Sequence, residues 1–282
     1  MPFIIIIVIL AIGFAFLRSW IESRPGNLDP VAGDETGVFA EEGRINVLFL
    51  GTNQGLSDTM MVFSIDTVNK TIDEISVPRD TYYERPAYPG AAYQKINSVL
   101  ETEDFKGCAK AVSDVLCGIP IHYYAEITDD GVRKIVDAMG GVEIDVPIDM
   151  QYTDVDQDLY IDLRAGRQVL TGDQAVQYLR FRSGYANADL GRIGAQQEFL
   201  KAVVQQSMDM DLPRVAFTAK SAIETNIGFA AGMSMVSNLT GSSSGNFHTW
   251  MLPGTPQMMN GASYYVADRA ATEEMLQQIL AG

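Results

Sequence analysis

The first charged side chain in this sequence is Arg18; everything before it, Met1–Leu17, reads MPFIIIIVILAIGFAFL. So apolar a stretch must be buried away from water, and that condition constrains the rest of the chain. Its length sits at the short limit of the roughly 17–25 residues of a membrane-spanning helix. It is long for the apolar part of a secretory signal, and no A-x-A cleavage site follows it. Trp20 is placed to anchor at a membrane interface. Residues 1–21 are read as an uncleaved transmembrane anchor, with a cleaved signal as the alternative. No Lys or Arg precedes the run, so charge asymmetry does not set its orientation. Residues 22–43 lack apolar periodicity and are rich in Gly, Pro, Asp and Glu, as expected of a linker.

From residue 44 to 282 the pattern is that of a folded domain, with helices and strands interleaved and no internal repeat. Ile45–Leu50 is a nearly continuous apolar run, the signature of a buried strand. Met60–Ile65 and Thr71–Val77 read as two more strands around a turn at Thr67–Lys70. Lys106–Leu116 reads as a helix and Tyr123–Ile127 as a strand. Val132, Ile135, Val136 and Met139 follow helical spacing, with Thr128 or Asp129 as cap and Gly140-Gly141 as stop. Val142–Val146 is a strand, and Thr171 with Gln174 forms a capping-box pattern before another helix. Leu190–Met208 reads as a longer helix with Ile193, Gln197, Leu200 and Val204 on one side. Phe247–Leu252 and Tyr264–Val266 are late strands and Thr272–Leu280 a last helix. The expected class is α/β, a three-layer α-β-α domain.

Net charge is −16, with 20 Lys plus Arg, which excludes a nucleic-acid binder and makes local arginine clusters informative. The two cysteines and two histidines do not have zinc-site spacing. Cys108 and Cys117 lie in a run read as one helix, about 13.5 Å apart along its axis. A disulfide needs Cα atoms within about 7 Å, so two buried thiols are expected. His122, between Ile121 and Tyr123, reads as structural. No serine-hydrolase elbow or Walker loop is present.

Six short segments then occur in one order: Ser57-Asp58-Thr59-Met60, Pro78-Arg79-Asp80-Thr81, Lys95-Ile96-Asn97, Gly140-Gly141-Val142, Arg180-Phe181-Arg182, and Asp189-Leu190-Gly191-Arg192 followed by Gln196-Gln197. Together they resemble the motifs of the LytR–CpsA–Psr family over roughly residues 44–205. The resemblance implies a central mixed sheet between helices, with an apolar tunnel for a prenyl chain. It implies a magnesium-dependent phosphotransferase, single-pass in the cell membrane with its domain on the extracellular side. Such an enzyme moves a glycopolymer, teichoic acid or capsule, from a polyprenyl pyrophosphate carrier onto a peptidoglycan acceptor. A non-catalytic binder of the same lipid-linked sugar is the alternative.

Pyrophosphate chemistry needs positioning and charge neutralisation. By the resemblance, Asp58 is the main magnesium ligand, and Asp58, Arg79 and Arg180 are the catalytic set. Arg79, Lys95, Arg180, Arg182, Arg192 and Gln196 are the substrate-binding set. The bland readings are a turn aspartate for Asp58, an ion pair with Asp80 for Arg79, and a solvated lysine for Lys95. Arg180 and Arg182 point the same way if the chain is extended there, and guanidinium groups suit phosphate. Arg192 and Gln196 share one helical face near a helix N-terminus, where an anion is favoured. Asp189 reads as that helix's cap. The sequence departs from the family twice. A second metal aspartate is replaced by Asn53, which offers a carbonyl but no charge, and an arginine often found at the position of Ala195 is missing.

Overall fold

The structure, a computed structural model, describes residues 31–33, 43–53, 55–155, 159–185, 188–206, 218, 221–227 and 246–281. The expected anchor at 1–21, most of the linker and the end of the long helix at 207–208 lie outside the described residues. Among the described residues no helix is long and apolar enough to cross a membrane. The described chain falls into two compact units, one of residues 31–126, 225–227 and 246–281 and one of residues 127–224.

The first unit is built on strands β1 (Arg44–Asn53), β2 (Leu56–Asp66), β3 (Thr71–Ser76) and β4 (Tyr123–Thr128). They belong to a six-stranded mixed sheet ordered β10-β3-β2-β1-β4-β9, where β9 is Ile223–Thr225 and β10 is Phe247–Met251. β1 to β3 form an antiparallel meander, and β10 runs parallel to β3. Met60–Asp66 and Ile72–Ser76 are buried at every position. Both faces of these strands are therefore covered, which is why β2 runs apolar from Met60 to Phe63 instead of alternating, while β3 buries Asp73 against Arg44 and Glu74 against Ser76 Oγ. The turn at Thr67–Lys70 is closed by Asp66, whose carboxylate accepts from the backbone N–H groups of Val68 and Asn69 at 2.7 Å each. Arg44 ties the strand ends together: its guanidinium lies 3.2 Å from Asp66 and 3.4 Å from Asp73, and it donates to the Ile279 carbonyl at 3.2 Å. That carbonyl belongs to the C-terminal helix Arg269–Ala281.

Helix α1 (Phe105–Val115) is capped by Asp104, which accepts from the N–H groups of Lys106 and Gly107. Here the expectation for the cysteines needs correcting. The helix stops at Val115, and Cys117 sits in the left-handed region at φ 58, followed by Gly118 at φ 86. Gly118 N–H returns to the Ser113 carbonyl at 2.7 Å, and Ser113 Oγ donates to the Ile119 carbonyl, so the chain turns back before Cys117. Both thiols are free as expected, but the continuous helix invoked for it is absent, and Cys117 is half-buried where burial was expected. His122 is structural. Its ring Nδ1 accepts from Asn46 N–H at 3.0 Å, and the His122 backbone N–H donates to the Asn46 carbonyl at 2.9 Å.

The second unit contains helix α2 (Asp129–Met139), two antiparallel strand pairs and helices α3 (Gly172–Arg180) and α4 (Ala188–Gln206). Thr128 caps α2 by accepting from Gly131 N–H, and Gly140 ends it at φ 83. Strands β5 (Val142–Val146) and β8 (Gly166–Leu170) pair, as do β6 (Met150–Asp154) and β7 (Leu159–Leu163). The capping box at Thr171 and Gln174 is fully formed. Gly172 lets α3 approach α2: a Cβ there would lie 2.5 Å from the Arg133 carbonyl oxygen.

Candidate active site

In the first unit the motifs meet at the turn end of the β1–β2 hairpin. Gly51 pairs with Thr59 and Thr52 with Ser57, which leaves Asp58 as the extra residue of a β-bulge. A bulge leaves one residue outside the ladder and re-aims its side chain. Gly51 makes room for this: a Cβ on it would lie 2.9 Å from the Thr59 Cβ. Asp58 is thereby presented to Arg79, whose Nη1 donates to its Oδ1 at 2.6 Å.

Pro78-Arg79-Asp80-Thr81 is a tight turn just beyond β3. The Pro78 carbonyl accepts from both Thr81 N–H at 3.0 Å and Thr81 Oγ1 at 2.6 Å. The two outer residues hold the turn, and the two central ones, Arg79 and Asp80, present charge. Lys95-Ile96-Asn97 then binds both other motifs. Lys95 Nζ reaches Asp80 Oδ1 at 2.9 Å, and Ile96 N–H donates to the Thr81 carbonyl at 2.9 Å. Asn97 N–H donates to the Arg79 carbonyl at 3.2 Å, and Ser57 Oγ donates to the Asn97 carbonyl at 3.2 Å. Arg79 thus pairs with Asp58, while Asp80 is taken by Lys95.

Two contributors were missed in the sequence. Arg85, 4% exposed, donates to Ser98 Oγ at 3.2 Å, reaches Glu103 at 2.9 Å and also donates to Thr102. It stacks over the Tyr88 ring at 4.2 Å and so holds the loop that carries Lys95. The sequence marked it only as one of 20 Lys and Arg in a chain of net charge −16; its burial arises from contacts across the loop. Glu126, on β4, accepts from the hydroxyl of Thr52, the residue before Asn53, at 2.6 Å.

Asn53 is the last residue of β1, opposite Leu56. Among the described residues no group of three or more His, Cys, Asp or Glu side chains is arranged to hold a metal. Magnesium takes one or two carboxylates with phosphate oxygens and waters making up its shell. The donors Asp58 and Asn53 suit that ion only with phosphate supplying further oxygens.

The second unit holds the remaining expected residues. Arg180 closes α3, and its Nη1 lies 3.2 Å from Asp129 Oδ2 in the first turn of α2. The expected extended segment begins one residue later than the arginine pair required. Arg180 is still helical, and only Phe181, at φ −66 and ψ 134, leaves the helix. Phe181 is 2% exposed, so burial of its ring directs the exit, with Arg182 following half-buried. On α4, Arg192 and Gln196 are 4% and 7% exposed, and Gln196 Nε2 donates to the Leu179 carbonyl at 3.3 Å. Gln196 therefore docks α4 against the end of α3. The buried side of α4 is Arg192, Ile193, Ala195, Gln196, Phe199 and Val203; Gln197 and Leu200 are only half-buried, so the expected stripe is rotated. Gly191 is required where it stands, because a Cβ on it would meet the Tyr185 Cβ at 2.3 Å. The side chain of Asp189 lies outside the described residues.

The curated relatives include the polyisoprenyl-teichoic acid–peptidoglycan teichoic acid transferase TagV of Bacillus subtilis (strain 168). It is 27% identical over 244 residues, 82% of this chain and 62% of that protein. The transferase TagU of Bacillus mycoides (strain KBAB4) is 29% identical over 202 residues, 69% of this chain and 63% of that protein. The chain thus spans about three fifths of the length of these relatives. The crystal structure of B. subtilis TagV shares the fold, with a TM-score of 0.70 at 24% identity over 85% of this chain and 96% of that one. The model of the LytR_cpsA_psr family matches residues 25–280, and the chain belongs to that family.

Proposed function

We propose that this protein is a phosphotransferase that moves a glycopolymer, teichoic acid or capsule, from a polyprenyl pyrophosphate carrier onto peptidoglycan. The observation that carries this is the Asp58–Arg79 pair, presented by a bulge and a tight turn and held by the Lys95–Asn97 segment. An acceptor hydroxyl oxygen bonds to the sugar-bearing phosphorus and the bridging P–O bond breaks. The polyprenyl phosphate leaves with the electron pair, and the hydroxyl proton is released. Arg79 and Lys95 bind the pyrophosphate oxygens and hold the phosphorus for in-line attack, as such transfers require. Arg180, Arg182, Arg192 and Gln196 are proposed as further substrate-binding residues. Asp58, with Asn53 as a neutral second donor, would hold magnesium, which supplies charge neutralisation on the phosphates. We place the domain outside the cell membrane, layered as α-β-α and tethered by residues 1–21.

A second reading, a binder that no longer transfers, draws on Asn53, which removes one charge from the metal donors. Incubation with a polyprenyl-pyrophosphate-linked sugar, a glycan acceptor and magnesium separates the two. The transferase reading expects the acceptor to gain the mass of the phosphoglycosyl group with the wild-type chain. Gain only with Asn53→Asp supports the binder, and no gain with either variant removes the transferase reading.

A further inference from the structure

The unit formed by residues 127–224 contains a cavity of about 620 Å³, walled by the paired strands β5 and β8 and one side of α4. None of the proposed phosphate ligands lines it. The volume falls within the roughly 300–1,000 Å³ of small-molecule sites.

Three features say what such a cavity can hold. The first is an unmet hydrogen bond. The hydroxyl of Tyr185 is buried and has no partner among the described residues, a costly arrangement unless a ligand supplies one. The second is kept space. Gly194 lies in the interior of α4 facing the cavity, and a Cβ on it would meet nothing within 4 Å. Glycine weakens a helix relative to any larger residue that would fit, so the emptiness is retained at a cost to the helix. The third is the chemistry of the wall. Tyr185, half-buried, offers aromatic surface, while Tyr178, 2% exposed, lies behind the wall with the carboxylates of Asp145 and Glu198 near its phenol. The two lining cations are already engaged, Arg167 with Glu143 at 2.7 Å and Lys201 with Glu198 at 2.8 Å. With three carboxylates against two cations the wall does not favour an anion.

A neutral ligand rich in hydroxyls, with ring faces to lie on tyrosine, fits all three. We propose that this cavity is a saccharide subsite that takes a sugar ring of the glycan strand through Tyr185, Asp145 and Glu198. The choice of glycan as the source rests on the transferase reading; the cavity's chemistry does not.

The test uses the full chain and two soluble probes: a neutral N-acetylglucosamine tetrasaccharide for an acceptor strand and a glycerol phosphate oligomer for an anionic donor polymer. Calorimetry should show the tetrasaccharide binding and the phosphate oligomer binding at least tenfold more weakly. Gly194→Phe should lower tetrasaccharide affinity at least tenfold with an unchanged or higher Tm. Tyr185→Phe should lower it about two- to tenfold, as one hydrogen bond allows. Absence of tetrasaccharide binding by the wild type, equal binding by Gly194→Phe, or preference for the phosphate oligomer overturns the subsite. Polyprenyl pyrophosphate binding is measured on the same preparations. Saccharide bound without lipid supports the subsite and counts against the transferase reading, while lipid bound without saccharide overturns the subsite alone.

Discussion

Arg79 should compete with magnesium for Asp58. The two side chains are 19% and 30% exposed and meet at 2.6 Å, so the pair is partly desolvated and well formed. Hydrogen bonds to charged groups contribute about 1.5–3 kcal/mol net, and each 1.4 kcal/mol is a factor of ten in affinity. An ion that must displace Arg79 from Asp58 therefore binds roughly 10- to 100-fold more weakly than it would to the released carboxylate. A pyrophosphate that draws Arg79 onto its own oxygens removes that competition and adds metal ligands. The perturbation is Arg79→Gln, and the readout is manganese binding by electron paramagnetic resonance, with and without a short-chain prenyl pyrophosphate. Without the pyrophosphate, the variant should bind the ion about 10- to 100-fold more tightly than the wild type. With it, the wild type should gain affinity for the ion and the variant should gain far less. Ion affinity unchanged or lowered in Arg79→Gln without pyrophosphate would refute the competition.

Three further outcomes follow from the packing. Arg44→Ala leaves Asp66 and Asp73 buried without their cation and should destabilise the protein by about 3–5 kcal/mol, read as a Tm drop of roughly 10 °C; a drop of only a degree or two contradicts the buried pairing. Burial works to raise the Asp66 carboxyl, but the Asn69 and Val68 N–H groups, the Asn69 amide and Arg44 outweigh it, so its pKa lies below the usual value. Its stabilisation is then complete above the unfolded pKa of about 3.9 and lost as pH falls through the lower folded value. In thermal melts, Asp66→Asn should flatten the fall of Tm below about pH 4, and a wild-type slope in the variant argues against this. Thr171→Ala removes the cap of α3 and should cost about 1 kcal/mol, with Thr171→Ser restoring it in the same melts.

What the sequence showed and what it hid follow from the range of the interactions. The caps at Thr128 and Thr171 and the stop at Gly140 were legible because each is closed within a few residues. Strands β1 and β2 were legible because burial on both faces writes nearly continuous apolar runs at Ile45–Leu50 and Met60–Phe63. The buried side of α4 was misplaced because two of its members, Arg192 and Gln196, are polar residues that tertiary contacts bury. The helix through Cys117 failed on a turn that depends on Ser113 reaching Ile119. Strands β6 and β7 went unread, although Leu159, Ile161 and Leu163 alternate as an exposed-edge strand should. At the site, the motif residues could be listed but not joined. The bulge at Asp58 exists only as a register between two strands, and the Lys95–Asp80 pair spans a loop.

We propose that Asp58 carries the metal-assisted step. Its most direct test is release of polyprenyl phosphate from a polyprenyl-pyrophosphate-linked sugar, followed across a magnesium titration in the wild type and in Asp58→Ala. The expected result is magnesium-dependent release by the wild type and a loss of at least a hundredfold in Asp58→Ala that added magnesium does not restore. Equal release by the two proteins, at any magnesium concentration, contradicts it.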